Sequence, residues 1–379
     1  MQNKSDWRPA LLSLVALASS AVAVPIRADQ VDEVITAQMK KHHITGLSLA
    51  IIEGGAIVRQ QGYGFTDRTH NTRVTTSTLF QAGSVSKPVS ALGALHLVDS
   101  GQLSLDGDVN LKLRTWSLPQ NKFTLSRKVT LRRILSHSAG ISVHGFPGYT
   151  PGQTIPTLTQ ILNGEKPANS PPIHVKNVPG SRWEYSGGGY VVMQQMVEDV
   201  TGKPFAQFMD ETVLKPLGMV SSTYSQPLPD DRAVRAAKGH SGFFGNAVKG
   251  GWHVYPELAP AGLWTTPADL ARFAIVTQRS AAGESNPVIS QSLTRQMLTR
   301  QQKDSGLGLG LASHGRTLKF GHDGANEGFD AVIIASTFGG KGAVVMTNRN
   351  GTLGAIGEIV GGIKRQYWPD DEISKKESN

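Results

Sequence analysis

The sequence predicts an α+β fold: one antiparallel sheet built from both ends of the chain, flanked by terminal helices, with a mainly helical lobe inserted between. Three observations predict it. A β-hairpin pattern lies near the start, a meander of short β runs lies near the end, and the stretch between them is helical and interrupted by proline. The 379 residues suffice for one large domain or two ordinary ones. The expected division is an α/β lobe from 29–100 and 301–372 and an inserted helical lobe over 101–300. A cleft between two such lobes is the natural place for a site.

Residues 1–23 read as a signal peptide. Lys4 and Arg8 supply charge, Ala10–Val24 is an apolar run of 15 residues, and Ala21-Val22-Ala23 offers the small residues that signal peptidase needs. The run falls short of the ~20 residues that span a bilayer. A secreted or periplasmic protein starting near Val24 is expected, with no transmembrane segment after the signal. Next, 29–41 has helical spacing at Val31, Val34, Ile35 and Met39. Residues 46–52 read as a buried strand, Glu53-Gly54-Gly55 as a turn, and 56–63 as the hairpin partner.

Gly83-Ser84 opens a helix to Asp99, with Pro88 in its first turns, where proline does least harm, and Gly101 just past its end. The middle third holds irregular proline-rich chain such as 147–172. Helices are expected there at 131–136, 189–201, 204–214 and 267–278, the last with a capped start at Thr266-Pro267-Ala268-Asp269. Short strands at 307–312, 317–320, 329–337 and 342–347 follow, and 354–367 closes the chain as a helix.

Composition narrows the function. The net charge is +9, but lysine and arginine are scattered among acids, and Lys375-Lys376 is the nearest approach to a basic cluster. That pattern reads as a cationic solvated surface, with no nucleic acid partner. The absence of cysteine excludes disulfides, a thiol nucleophile, thiolate metal ligands and a lipidated N-terminal cysteine. Asp106-Gly107-Asp108-Val109-Asn110 starts like a calcium loop but has Leu111 and Ser117 where glycine and glutamate belong. Gly306, Gly308 and Gly310 alternate along an expected strand without opening a helix, so they form no dinucleotide fingerprint. No metal and no cofactor are expected.

Three short motifs carry chemistry. In Ser84-Val85-Ser86-Lys87 the first and last residues share a helix face, so the amine can touch the hydroxyl. A serine hydroxyl needs a base, and a lysine serves if burial or nearby positive charge keeps it neutral. Tyr185, in Tyr185-Ser186-Gly187, lies in a turn before a helix; its phenol can relay protons if a nearby cation lowers its pKa. His322-Asp323-Gly324-Ala325 precedes the strand at Phe329; Gly324 permits close approach, and the N–H after it can donate to an oxyanion. No Gly-x-Ser-x-Gly elbow points to an α/β-hydrolase.

In this order the motifs, 101 and 137 residues apart, resemble those of the penicillin-recognising serine hydrolases: class C β-lactamases, DD-peptidases, D-aminopeptidases and β-lactamase-like esterases. Leu135-Ser136-His137-Ser138-Ala139-Gly140-Ile141, Leu217-Gly218-Met219 and residues 261–273 resemble the family as well, and the likeness runs over about residues 30–365. The resemblance implies a β-lactamase/transpeptidase-like fold and an acyl-enzyme on Ser84. It implies that Lys87 and Tyr185 handle the proton, that the N–H groups of Ser84 and Ala325 form the oxyanion hole, and that His322, Gly324 and Gly187 contact substrate.

Two positions depart from the family. Gly187 stands where Asn is usual, and His322 stands where β-lactamases usually carry Lys. The expected substrate is a small-molecule or peptide acyl compound of cell-wall type: an ester or a D-amino-acid peptide, with weak or no β-lactamase activity. The alternatives are a penicillin-sensing module acylated without turnover and a true class C-type β-lactamase.

Overall fold

In the computed structural model the described residues are 29–369, apart from 70, 243–244 and 315–316. The signal-peptide reading of 1–23 lies outside them. Six strands make one antiparallel sheet: β1 (Gly46–Glu53), β2 (Ala56–Gly64), β3 (Gly310–His314), β4 (Thr317–Asn326), β5 (Phe329–Ser336) and β6 (Gly342–Thr347). Their order is β2-β1-β6-β5-β4-β3. The two ends of the chain meet at β1 and β6, where Leu47 faces Thr347 and Ile52 faces Gly342.

β1 and β6 are buried on both faces, and the two-residue period of a strand sorts their side chains into two layers. Leu47, Leu49, Ile51, Ala343 and Val345 pack against the terminal helices α1 (Gln30–Lys41) and α5 (Leu353–Tyr367) through Val31, Ile35, Ile356, Ile359 and Ile363. Ala50, Ile52, Val344 and Met346 face the other way, into the larger core. That core surrounds α2 (Ser86–Asp99), whose sides are nearly all buried, as expected of a helix lying between sheet and lobe.

Two further helices position the site. α3 (Gly187–Thr201) starts at Ser186, whose Oγ accepts the Gly189 N–H at 3.0 Å. α4 (Pro267–Ala281) starts as the sequence predicts, with Thr266 accepting from the Asp269 N–H and proline in the first turn. α4 falls within 101–300, yet it lies on the sheet: Gln278 Nε2 donates to the carbonyls of Ser336 and Lys341 at 2.9 and 2.8 Å. The segment 101–300 is therefore not lobe throughout; its last long helix covers the sheet.

Two strand expectations need correction. Residues 307–309 are not strand: Leu307 and Leu309 are buried in the core, and β3 begins only at Gly310. Their apolar alternation records a plug in the core. The strand expected at 317–320, by contrast, runs on to Asn326 as β4, so the third motif is itself part of a strand. Polar residues ending in Gly324 look like a turn in sequence, but pairing with β5 keeps them extended, Gly324 opposite Ala331 and Ala325 opposite Asp330.

Candidate active site

Ser84 sits in a 3₁₀ turn, Gly83–Val85, that leads into α2. Lys87 follows in the first turn of α2, three residues on from the serine and on the same face. Lys87 Nζ is 2.9 Å from Ser84 Oγ and donates to the Pro260 carbonyl at 3.0 Å. Lys87 is only 2% exposed, and its Nζ lies 4.9 Å from the ring centre of Tyr185 and 5.7 Å from that of Tyr190. Burial pushes the amine down to about 7, against the pull of the Asp323 charge. A lysine so placed is neutral in about half of the molecules at pH 7, as the sequence argument requires.

The segment holding that lysine is locked from several sides. Ser90 Oγ donates to the Ala259 carbonyl at 2.9 Å, and the Leu263 N–H donates to Ser86 Oγ at 3.1 Å. Asn326, the last residue of β4, donates to the Ala261 carbonyl and to Gln81 Oε1. Residues 259–263 are thereby tied to both α2 and β4, and Pro260 O is fixed in front of Lys87.

Tyr185 precedes α3, half-buried, and hydrogen-bonds with Ser84. Its phenol is raised above the ordinary tyrosine range, chiefly by burial; the Ser84 hydrogen bond opposes this and the Asp323 charge adds to it. The sequence reading asked for a cation that lowers Tyr185. Burial outweighs any such effect, so the hydroxyl stays protonated and is a proton donor, not a phenolate. His137, from the Leu135–Ile141 stretch, stacks on the Tyr185 ring at 4.3 Å and 29°. Its Nδ1 accepts the Ser186 N–H at 3.2 Å, and burial holds the imidazole well below its ordinary range. A neutral ring that accepts at Nδ1 carries its proton on Nε2. His144 adds a second imidazole 4.8 Å from Tyr185.

The third motif closes the site. A Cβ on Gly324 would stand 2.8 Å from the Ser84 nitrogen, and one on Gly83 would stand 2.6 Å from the Ala325 nitrogen. Only glycine lets β4 approach the nucleophile turn this closely, and the approach brings the Ser84 and Ala325 backbones together. Ser84 also opens a helix, where the first N–H groups lack intrahelical acceptors. His322 is half-buried, its ring 6.2 Å from Tyr185, with Nδ1 2.5 Å from the Asp323 carbonyl. Burial first, then the Lys87 charge, push it down to about 4, so it is neutral by a wider margin than an ordinary histidine.

Gly187 lines the cleft but presents no side chain; its N–H donates to the His144 carbonyl at 3.0 Å, and Phe146 packs beside it. The motif residues therefore converge on one cleft of about 800 Å³. Sequence reasoning missed Asp323, Trp183 and Lys303, which also line it. Asp323 stood inside a quoted motif, and its charge was the available signal. Trp183 and Lys303, with Nζ 4.5 Å from the indole ring centre, come from segments 120 residues apart and gave none.

Among the described residues no group of three or more His, Cys, Asp or Glu side chains is placed to hold a metal, and no helix is long and apolar enough to cross a membrane.

Comparison with known proteins places this geometry. Penicillin-binding protein 4 of Amycolatopsis lactamdurans is 28% identical over 326 residues, covering 81% of this chain and 82% of that protein. Protein flp of Staphylococcus aureus is 24% identical over 200 residues; the match takes in 52% of this chain and only 38% of flp. In fold, the chain is similar to an octameric penicillin-binding protein homologue from Pyrococcus abyssi, with a TM-score of 0.69, 23% identity, and 85% and 73% of the two chains covered. It is likewise similar to the D-amino acid amidase of Ochrobactrum anthropi SV3, with a TM-score of 0.70, 19% identity, and 88% and 99% covered. The family model described as Beta-lactamase matches residues 31–358, and the chain belongs to that family of β-lactamase-fold hydrolases.

Proposed function

We propose that this protein is a serine hydrolase that cleaves esters or amides through an acyl-enzyme on Ser84. One observation carries the reading: a buried lysine, held near neutrality, 2.9 Å from the hydroxyl at the mouth of a helix. The neutral amine donates one N–H to Pro260 O and keeps its lone pair for the Ser84 proton. Oγ bonds to the acyl carbon as that proton moves to Lys87 Nζ. The N–H groups of Ser84 and Ala325 receive the oxyanion; one such donor is typically worth about 3 kcal/mol in the transition state. Tyr185 gives its proton to the leaving group as the acyl–leaving-group bond breaks, and Lys87 returns one to Tyr185. Water then takes the leaving group's place and reverses the path.

The site favours uncharged acyl groups over β-lactams. A β-lactam carries a carboxylate, and the third motif offers it a neutral His322 in place of a cation. A charge-assisted hydrogen bond is about twice as strong as a neutral one. Gly187 adds no amide contact. The D-amino acid amidase among the structural relatives supports an amide substrate, and the penicillin-binding relative supports acylation by related chemistry. Export to the periplasm or medium through residues 1–23 belongs to the same proposal, and N-terminal sequencing of the exported protein tests it.

The deciding experiment measures kcat/KM for nitrophenyl butyrate, a D-alanyl peptide and a chromogenic cephalosporin on wild type, Ser84→Ala and His322→Lys. The ester or peptide is expected to lead, Ser84→Ala to abolish turnover, and His322→Lys to raise the cephalosporin relative to the ester. Activity within tenfold of wild type in Ser84→Ala would refute the nucleophile. A single burst without turnover would show an acylated sensor instead.

A further inference from the structure

His137 stands just past the short helix Leu131–Leu135, and its backbone is left-handed, with φ at 55°. Two crossed hydrogen bonds end that helix: the Ser138 N–H donates to the Arg133 carbonyl at 2.8 Å, and the His137 N–H to the Ile134 carbonyl at 3.2 Å. Glycine is the usual residue at this point of such an ending, because it has no Cβ to crowd the left-handed turn. Histidine carries strain there that glycine would not, and strain of this kind gathers at functional sites.

The side chain and the carbonyl of His137 grip one segment. The carbonyl accepts the Glu184 N–H at 2.7 Å, and Nδ1 accepts the Ser186 N–H at 3.2 Å. Between these two bonds the imidazole stacks on the Tyr185 ring at 4.3 Å and 29°. The imidazole is itself wedged in place and only 6% exposed. Trp183 meets it edge-on at 6.2 Å and 78°, and Tyr190 packs at 5.4 Å, with its hydroxyl donating to the Leu135 carbonyl at 3.1 Å. His144 lies nearly as close to the Tyr185 ring, at 4.8 Å, but is tilted by 42° and bonds the segment only one residue further on, where its carbonyl accepts the Gly187 N–H.

We infer that His137 is the positioning residue for Tyr185: it aims the phenol at Ser84, and so governs how well the site expels leaving groups that must take a proton. On the acyl-transfer reading, which this inference rests on, Tyr185 supplies that proton. The two N–H bonds fix the backbone from which the tyrosine side chain starts. The stacked imidazole then limits the two torsions that remain, since the ring cannot turn through a plane already occupied. Proton transfer needs hydrogen-bond reach, and a misplacement of about 1 Å can cost 10²-fold in rate.

Two esters with one acyl group and different leaving groups read this role. Nitrophenolate departs without a proton, whereas ethoxide departs only as ethanol. In His137→Ala the kcat/KM ratio of ethyl butyrate to nitrophenyl butyrate is expected to fall by about 10²-fold. His137→Asn tolerates the left-handed backbone and offers Oδ1 in place of Nδ1 but has no ring, so the ratio should fall by about tenfold, even if the alanine variant does not fold. In the Tyr185→Phe background, where no phenol proton is available, neither substitution should move the ratio. Equal losses on both esters, or the same shift of the ratio without the phenol, would overturn the inference and leave His137 as packing alone.

A comparison of crystal structures needs no turnover. In His137→Asn the Tyr185 hydroxyl is expected to leave Ser84, with the backbone of 184–186 still in place. A tyrosine that keeps its hydrogen bond to Ser84 in that variant overturns the inference. If wild type cleaves neither ester while the tyrosine still swings away, the acyl-transfer reading falls and the hold of His137 on Tyr185 stands.

Discussion

The two faces of the sheet are built on opposite terms. Toward α1 and α5 the contact is mainly apolar: isoleucines, leucines and valines from the first and last fifths of the chain close on each other, and the buried Asp330, Thr347 and Thr352 answer one another at the start of α5. Toward α2 the core is larger but contains Gln81, Ser86, Lys87, Ser90, Glu257 and Asn326, all nearly out of contact with solvent. Most of these polar groups are answered by named partners, including the carbonyls of residues 259–261. A buried polar group left unanswered costs about 1–3 kcal/mol, so the second face can hold a lysine and its serine only because its neighbours are fixed. The terminal layer supplies stability with few polar obligations; the α2 layer gives up some of that stability to hold reactive groups in place.

Substitutions that strike one face and not the other put this contrast to the test. Lys87→Ala and Tyr185→Phe are expected to lower kcat by about 10² to 10⁴ each, the usual scale of general acid–base help. Because both serve one proton path, the double variant should lose little beyond the worse single one. Losses that multiply would show two separate roles. On the other face, Ile359→Ala removes a fully buried side chain from α5. It should cost about 2–5 kcal/mol of unfolding free energy while kcat/KM per folded molecule stays at the wild-type value. A fall in kcat/KM at full folding would show that the layers are coupled.

The sequence made one face far more legible than the other. The terminal layer follows from periodicity alone: Val31, Val34 and Ile35 at helical spacing, then apolar runs at 46–52 and 342–347. Ser84 and Lys87 were legible because one helical turn brings them together, so their contact is local. Tyr185 and His322 required the resemblance, since nothing in the 100 residues between Ser84 and Tyr185 or the 237 between Ser84 and His322 sets their distance from Ser84. What remained hidden is what long-range packing decides: the stacking of His137 under Tyr185, the extension of β4 through its polar motif, and the direction in which burial moves the Tyr185 phenol.

Acidity offers a gentler probe of the α2 face. Lys87 must be unprotonated to accept the serine proton, and its folded pKa is near 7. kcat/KM should therefore rise with pH through about 7 and fall about tenfold per unit below it. An acid limb near 10 would mean that the lysine is solvated and not the base. His322, already neutral above about 4, should leave no limb of its own between 5 and 8.

The smallest expected effect concerns Glu257, 0% exposed beside the loop that faces Lys87, with neither carboxylate oxygen hydrogen-bonded to another side chain or backbone group in the structure. Burial pushes its pKa up to about 8 from the ordinary 4.5. The sign follows from proton counting. Between about 4.5 and 8 the unfolded chain has lost this proton and the folded chain keeps it. The folded state therefore binds more protons, and stability falls as pH rises across that window, by about 1 kcal/mol per pH unit from this group. Below 4.5 and above 8 the two states carry the same charge at Glu257, and its slope vanishes. Asp330, raised by burial to about 6, slopes the same way over a narrower range, so the total curve cannot isolate Glu257. The difference curve can. Glu257→Gln keeps the shape and removes the proton, so the gap between variant and wild-type unfolding free energies should move in favour of the variant from pH 5 to pH 8, whatever its starting value. Urea titrations at four pH values across that range measure it. A gap that stays flat would show that Glu257 ionises freely in the folded protein, and the α2 face would then hold one charge more at neutral pH than the structure assigns to it.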